Sequence, residues 1–257
     1  MNSPYLIEFR FQSKRVRTHL QRIIYNINRK FGVGRGKKVS HITLVGPIST
    51  TNEKRFISDF DRVCSETQHM KFKVNGFGTF DNNGVVYANI DASNTLNDFR
   101  NKLVETIRNY CKVQLNDKNK YTESFSYHST LAMKLSPSKF KQVKNYVMKL
   151  PKPIYSQIVM RVTLLKNRRI FKEYDFMQRK LLNRGQALNR NITRRSKELL
   201  RKFMRGQYKP KPIKQMGWSN KSKNEVISHS NKKSFKNYII PVIIAIIIIY
   251  LIKKYFG

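Results

Sequence analysis

Acidic residues are scarce in this chain: 15 Asp and Glu stand against 52 Lys and Arg, for a formal net charge of +37. A surface so short of carboxylates attracts polyanions, either nucleic acid or an anionic membrane. The excess is spread along the sequence. Residues 1–176 hold 32 basic against 13 acidic side chains, residues 177–236 hold 18 against 2, and Lys253 and Lys254 follow. The acid-poor middle tract would repel itself without a counter-anion, which argues against a merely solvated surface. Cysteine is scarce too. Cys64 and Cys111 fall at apolar positions of predicted helices, and no Cys or His pair has metal-ligand spacing. Two reduced, buried thiols and no metal are the expectation. The first residues lack the charged, apolar and small-residue pattern of a secretory signal, and Tyr5 to Phe9 reads as a strand instead.

What the chain does have is one tetrapeptide used twice, His41-Ile42-Thr43-Leu44 and His128-Ser129-Thr130-Leu131. Each begins an apolar-alternating run, His41 to Ile48 and His128 to Leu135, of the length and pattern of a strand. Alternate strand residues share a face, so His41 and Thr43 point one way and Ile42 and Leu44 the other. By the same rule His128, Thr130, Ala132 and Lys134 share a face opposite Leu131, Met133 and Leu135. A single histidine beside an apolar face is ordinarily structural. Two copies, each after a strand-helix unit and before a strand-to-helix turn, point to catalysis. An imidazole titrates near roughly 6.5, so one ring can take a proton from water while the other protonates a leaving oxygen. The threonine hydroxyls can donate to non-bridging phosphate oxygens whose charge grows in the transition state. No metal or other cofactor is needed in this scheme.

With these motifs the first two thirds of the chain resembles the two-histidine (2H) phosphoesterase superfamily, in particular its RNA 2′,3′-cyclic phosphodiesterase branch, historically called 2′-5′ RNA ligases. Gly76-Phe77-Gly78-Thr79-Phe80 with the strand Val85 to Ile90 is similar to the family's middle region. Arg161 to Leu165 and Phe171 to Phe176 are similar to its closing strands. The resemblance implies an α+β, bilobal fold: two pseudo-symmetric lobes of antiparallel sheet plus helices, each giving one His-x-Thr strand to a central cleft. It implies hydrolysis of RNA 2′,3′-cyclic phosphate ends to 2′-phosphates. Family members commonly carry Pro before the second His and Arg after its Leu. This chain has Tyr127 before His128, and Lys134 is the substitute cation. His128 is assigned as base and His41 as acid, with the two labels exchangeable, and Thr43, Thr130 and Lys134 bind phosphate. A 2′-5′ ligase, or a phosphodiesterase for another cyclic or 2′-5′ nucleotide, is the alternative within the superfamily. A non-catalytic membrane-tethered RNA-binding adaptor is the alternative outside it.

The remaining segments fit around these strands. Val16, Leu20, Ile23, Ile27 and Phe31 recur at helical spacing from Lys14, and His19 lies beside that stripe as a packed or exposed helix residue. Gly32 to Lys38 is glycine-rich and basic, but it lacks the Walker spacing and opens no helix, so it reads as a helix stop and turn. Arg35, Lys37 and Lys38 would then stand at the cleft entrance, able to track an RNA backbone. Thr50 to Glu53 has the pattern of a capping box. Asp81 to Gly84 signals a hairpin, and Leu96 to Tyr110 a further helix. Lys112 to Tyr127 reads as a loop whose Tyr121, Phe125 and Tyr127 can stack on bases or pack into the core. Ser136-Pro137 starts a helix, and two strands, Ser156 to Leu165 and Ile170 to Phe176, end the catalytic unit.

Four segments are expected: a catalytic domain over 1–176, a basic, partly helical extension over 177–206, a flexible basic linker over 207–236, and a membrane anchor over 237–254. Tyr238 to Ile252 carries no charge over 15 residues. As a helix it measures roughly 22 Å against a hydrocarbon core of roughly 30 Å, short for a full span but feasible for a tail anchor in a thin bilayer. Basic residues before it far outnumber the pair after it, which predicts a cytoplasmic catalytic domain. The expected partners are RNA and a membrane, with no protein partner.

Overall fold

Two antiparallel sheets meet along the strands that carry the repeated motif. The computed structural model describes residues 4–33, 40–113 and 125–210. The strands are β1 (Tyr5–Arg10), β2 (His41–Thr50), β3 (Lys71–Phe80), β4 (Val85–Ala92), β5 (Cys111–Val113), β6 (His128–Ala132), β7 (Ile154–Ile158), β8 (Arg161–Lys166), β9 (Arg169–Asp175) and β10 (Lys180–Asn183). The helices are α1 (Lys14–Phe31), α2 (Glu53–Glu66), α3 (Asn94–Ile107), α4 (Pro137–Met148), α5 (Arg184–Leu188) and α6 (Arg190–Met204). Sheet A runs in the order β10-β9-β8-β1-β2-β5 and sheet B in the order β6-β4-β3-β7.

One helix crosses to the other sheet. The first strand-helix-strand stretch places β1 and β2 side by side in sheet A, yet α1 between them lies against β6 and α4, on sheet B. α3, which follows β4, packs on α2 and touches both β3 of sheet B and β2 of sheet A, where Arg100 Nε donates to the Leu44 carbonyl at 3.0 Å. α1 buries Val16, Leu20, Ile23, Ile24 and Ile27, the stripe its spacing predicts, and stops at Gly32 in the left-handed region (φ 63°). His19 is half-buried and hydrogen-bonded to the Tyr155 hydroxyl at 2.8 Å, the packed one of its two expected roles. One core runs under both sheets: Phe9 of β1 meets Phe72 of β3 at 5.0 Å between ring centroids.

Several boundaries differ from the sequence reading. Asn52, not a threonine, caps α2, accepting from the Arg55 N–H at 3.1 Å; the chain stays extended through Thr50, whose hydroxyl accepts from the Asn52 N–H. Cys111 lies in β5 rather than in a helix, because α3 ends at Ile107 and the chain turns to pair with β2; both thiols are free and buried. The run Ser156 to Leu165 is two strands. The buried pair Val159 and Met160 carries the chain from sheet B to sheet A, and unbroken apolar character does not record a change of sheet.

The unit also does not end at Phe176, because β10 adds a further strand to sheet A. α6 is tied to that sheet by buried Ser196, which receives a hydrogen bond from Arg161 Nη2 at 2.8 Å. Arg161 in turn grips Asp175 at 2.7 Å and Glu173 at 2.8 Å. The basic extension forms α5 and the 15-residue α6. Tyr238 to Ile252 lies outside the described residues; among those described, no helix is long and apolar enough to cross a membrane.

Candidate active site

β2 and β6 belong to different sheets and touch each other, which brings the two His-x-Thr motifs together. On β2, His41 and Thr43 are half-buried while Ile42 and Leu44 are sealed in the core. On β6, His128 and Thr130 are half-buried while Ser129 and Leu131 are buried. The period-2 alternation of both strands is therefore kept, and the same face of each presents an imidazole and a hydroxyl to the cleft.

The two rings have different surroundings. His128 Nδ1 is 2.8 Å from the Ser126 carbonyl oxygen, which can only accept. Nδ1 therefore carries the hydrogen, and in the neutral ring the Nε2 lone pair is left as the base. The ring sits against Phe80 and Tyr87, with centroids at 5.0 and 5.2 Å. Burial holds the proton affinity of His128 below the ordinary imidazole value, and the charge of His41 lowers it further. That influence places the two rings in one electrostatic site.

His41 faces an anion instead. Its Nε2 is 3.8 Å from Oε2 of Glu8, whose other oxygen accepts from Arg10 Nε at 2.9 Å. Glu8 is only 3 % exposed, and it stands directly opposite Thr43 across the β1–β2 pairing, as Arg10 stands opposite His41. A protonated His41 thus has a counter-charge at hand.

Tyr87 reaches His128 because of a glycine. A Cβ on Gly78, its cross-strand partner on β3, would come within 2.5 Å of the Tyr87 ring. Gly84 (φ 56°) fixes the far end of the same hairpin, and its carbonyl accepts from Leu135 just beyond β6.

The other expected site residues divide. β6 ends at Ala132, and Lys134 takes a left-handed turn conformation (φ 58°) and is exposed. Strand alternation thus stops short of it and does not put it on the His128 face. Tyr127 is 4 % exposed, with its hydroxyl on the Leu96 carbonyl, so it is a core residue without a ring face for a base. Phe125 lies under the buried Arg100 guanidinium, 3.6 Å from its ring centroid. These rings are occupied in packing α3 against the chain that leads into β6. Arg35, Lys37, Lys38 and Tyr121 lie outside the described residues. Sequence reasoning missed Glu8, Arg10, Phe80 and Tyr87. One signal for Glu8 was available, a lone acid among the apolar residues Tyr5 to Phe9.

Fold and paired motifs together define a two-histidine phosphoesterase. Residues 13–169 match the 2′-5′ RNA ligase superfamily, and the chain belongs to that family; its chemistry is accordingly that of the phosphodiester bond. No curated protein matches the sequence. Among solved structures, TT0787 of Thermus thermophilus is similar at 16 % identity, covering 63 % of this chain and 86 % of that one, with a TM-score of 0.45. E. coli LigT complexed with NADP+ is similar at 14 % identity, covering 65 % and 88 %, with a TM-score of 0.42. A structure described as a phosphoesterase is similar at 13 % identity, covering 71 % and 94 %, also at 0.42.

Proposed function

We propose that this protein hydrolyses RNA 2′,3′-cyclic phosphate ends to 2′-phosphates without a metal. The observation that carries the reading is the difference between the two rings: His128 has its Nδ1 hydrogen fixed on Ser126 and a depressed proton affinity, while His41 stands beside the Glu8 carboxylate. A neutral His128 Nε2 takes a proton from water as the water oxygen bonds to phosphorus. The bond from phosphorus to the 3′ oxygen breaks, and His41 gives that oxygen a proton. The product is a 2′-phosphomonoester with a free 3′ hydroxyl. Thr43 and Thr130 donate to the non-bridging oxygens, where fixed donors are most effective as charge builds. Lys134, exposed just past β6, remains the cation proposed to approach the phosphate from the rim.

The test is turnover of a short RNA with a 2′,3′-cyclic phosphate end by the full chain, without added metal, resolving 2′- from 3′-phosphate. Loss of a general acid or base costs on the order of 10² or more, so His41→Ala and His128→Ala should each lower turnover by at least about that factor. Unchanged turnover in either variant overturns the assignment.

We also propose that the charge-free run Tyr238 to Ile252 anchors the chain in a membrane with the catalytic domain on the cytoplasmic side. The charge asymmetry around the run supports this orientation. Expressed in cells, the full chain should sediment with membranes through an alkaline wash, and a chain ending at Asn237 should not. Retention of the shortened chain in the washed membranes overturns the anchor.

A further inference from the structure

A groove of about 1040 Å³ has walls that bring together Lys14 and Arg17 of α1, Lys71 and Lys73 of β3, and Lys197 and Arg201 of α6. Among the described residues none of these six cations is in an ion pair with a carboxylate. Asp91, the acidic residue of the lining, is engaged by the side-chain amides of Asn75 and Asn89. The floor is apolar, lined by Phe72, Leu200 and Met204.

Strand register places the groove next to the histidines. Asn89 pairs with His128 across β4 and β6, and Asp91, two residues further along the same face of β4, already lines the groove. Asp91 in turn pairs with Lys73, so Lys73 and Lys71 share the face of sheet B that carries His128. On the other sheet, Arg10 pairs with His41, and Gln12, two residues on, lines the groove as well. α6 closes the far side. Its Ser196 is buried on Arg161 and Asp175 of sheet A, and the next residue, Lys197, turns into the groove. α6 lies beyond residues 13–169, so one wall is built by a part of the chain outside the family match.

We infer that this groove holds the phosphodiester backbone of single-stranded RNA whose end lies between His41 and His128, which makes the preferred substrate an oligonucleotide. The inference rests on the proposed hydrolase reading for the identity of the end, and on the groove for the rest. Cations on the walls with an apolar floor suit a strand whose phosphates face outward and whose bases stack below. A membrane surface would need a run of protruding apolar residues, whereas here Met204 protrudes, Leu200 is half-buried and Phe72 is buried. Partial burial lowers the proton affinity of Lys197, and the neighbouring charges of Arg17, Arg201 and Arg161 lower it further.

The test uses the full chain and a single-stranded RNA of about ten nucleotides ending in a non-cleavable 3′-phosphate, with anisotropy measured across a salt series. Lys197→Gln with Arg201→Gln should weaken binding about tenfold and flatten the log–log salt slope by about 1.4, near 0.7 per lost phosphate contact. Arg17→Gln, on a different element, should act in the same direction with half the change in slope, and it decides the matter if the double variant melts early. With cyclic phosphate substrates, the variants should raise KM for the oligonucleotide and leave turnover of a mononucleoside 2′,3′-cyclic phosphate unchanged. Unaltered RNA affinity and slope overturn the inference. So does a variant that loses binding to phosphatidylserine vesicles while keeping RNA binding, which would assign the groove to a lipid surface. If the wild type turns over neither substrate, the hydrolase reading and the substrate preference fall together, while the salt series still decides whether the groove holds RNA.

Discussion

Oε2 of Glu8 lies 3.8 Å from Nε2 of His41, whereas among the described residues His128 has no carboxylate within ion-pair distance and holds its Nδ1 hydrogen on a carbonyl. Two residues of the same type, on equivalent strands, are thereby made chemically unequal. The His41 half of the inequality comes from β1, an element that carries neither motif.

Removing that anion without changing its shape should tell on the acid. Glu8→Gln is expected to lower kcat/KM about tenfold, and to have little further effect in a His41→Ala background, because residues that act through one another are non-additive. Steady-state kinetics on the four members of the cycle measure the coupling. Full additivity would mean that Glu8 acts elsewhere.

The pH profile follows from His128. As the base it must be neutral, and burial together with the His41 charge lowers its pKa, so the acid limb of kcat/KM should fall below the roughly 6.5 of a free imidazole. Phe80→Ala exposes the ring to water and should move that limb back upward. A limb that stays in place in this variant would mean that it reports another group.

Gly78→Ala probes the aromatic bracket. The new Cβ would stand 2.5 Å from the Tyr87 ring, which must swing away, and His128 loses one of its two ring contacts. Turnover should drop about tenfold through lost positioning, with stability changed by about 1 kcal/mol or less. Thermal melts beside the kinetics separate positioning from unfolding.

Arg161 should prove structural. Arg161→Met leaves the buried carboxylates of Glu173 and Asp175 without their cation, a class of change that costs about 3–5 kcal/mol. A chain ending at Phe176 removes Ser196 and β10 together, and should be markedly less stable than one ending at Pro210. Urea denaturation of the two truncations measures this directly.

The residues that could be read from the sequence are those fixed by local periodicity. His41, Thr43, His128 and Thr130 fall where strand alternation puts them, because an apolar face alternating with a polar one needs no knowledge of neighbours. Glu8 escaped because its meaning lies in register: it matters only once β1 is laid antiparallel to β2 with Glu8 opposite Thr43. Lys134 was misplaced because β6 ends three residues earlier than its alternation suggests, at a turn where a lysine adopts positive φ. The extent of the unit was misjudged at Phe176 for a related reason. Nothing near that residue announces that Ser196, some twenty positions later, completes the coordination of Arg161.

The crossing of α1 to sheet B reaches beyond packing. A polypeptide cut between β2 and β3 would give a first fragment whose α1 lacks β6 and α4, and a second whose sheet lacks that covering helix. The first would also lack Arg100, which holds the Leu44 carbonyl beside the first motif. Each His-x-Thr strand therefore draws on residues from both sides of such a cut.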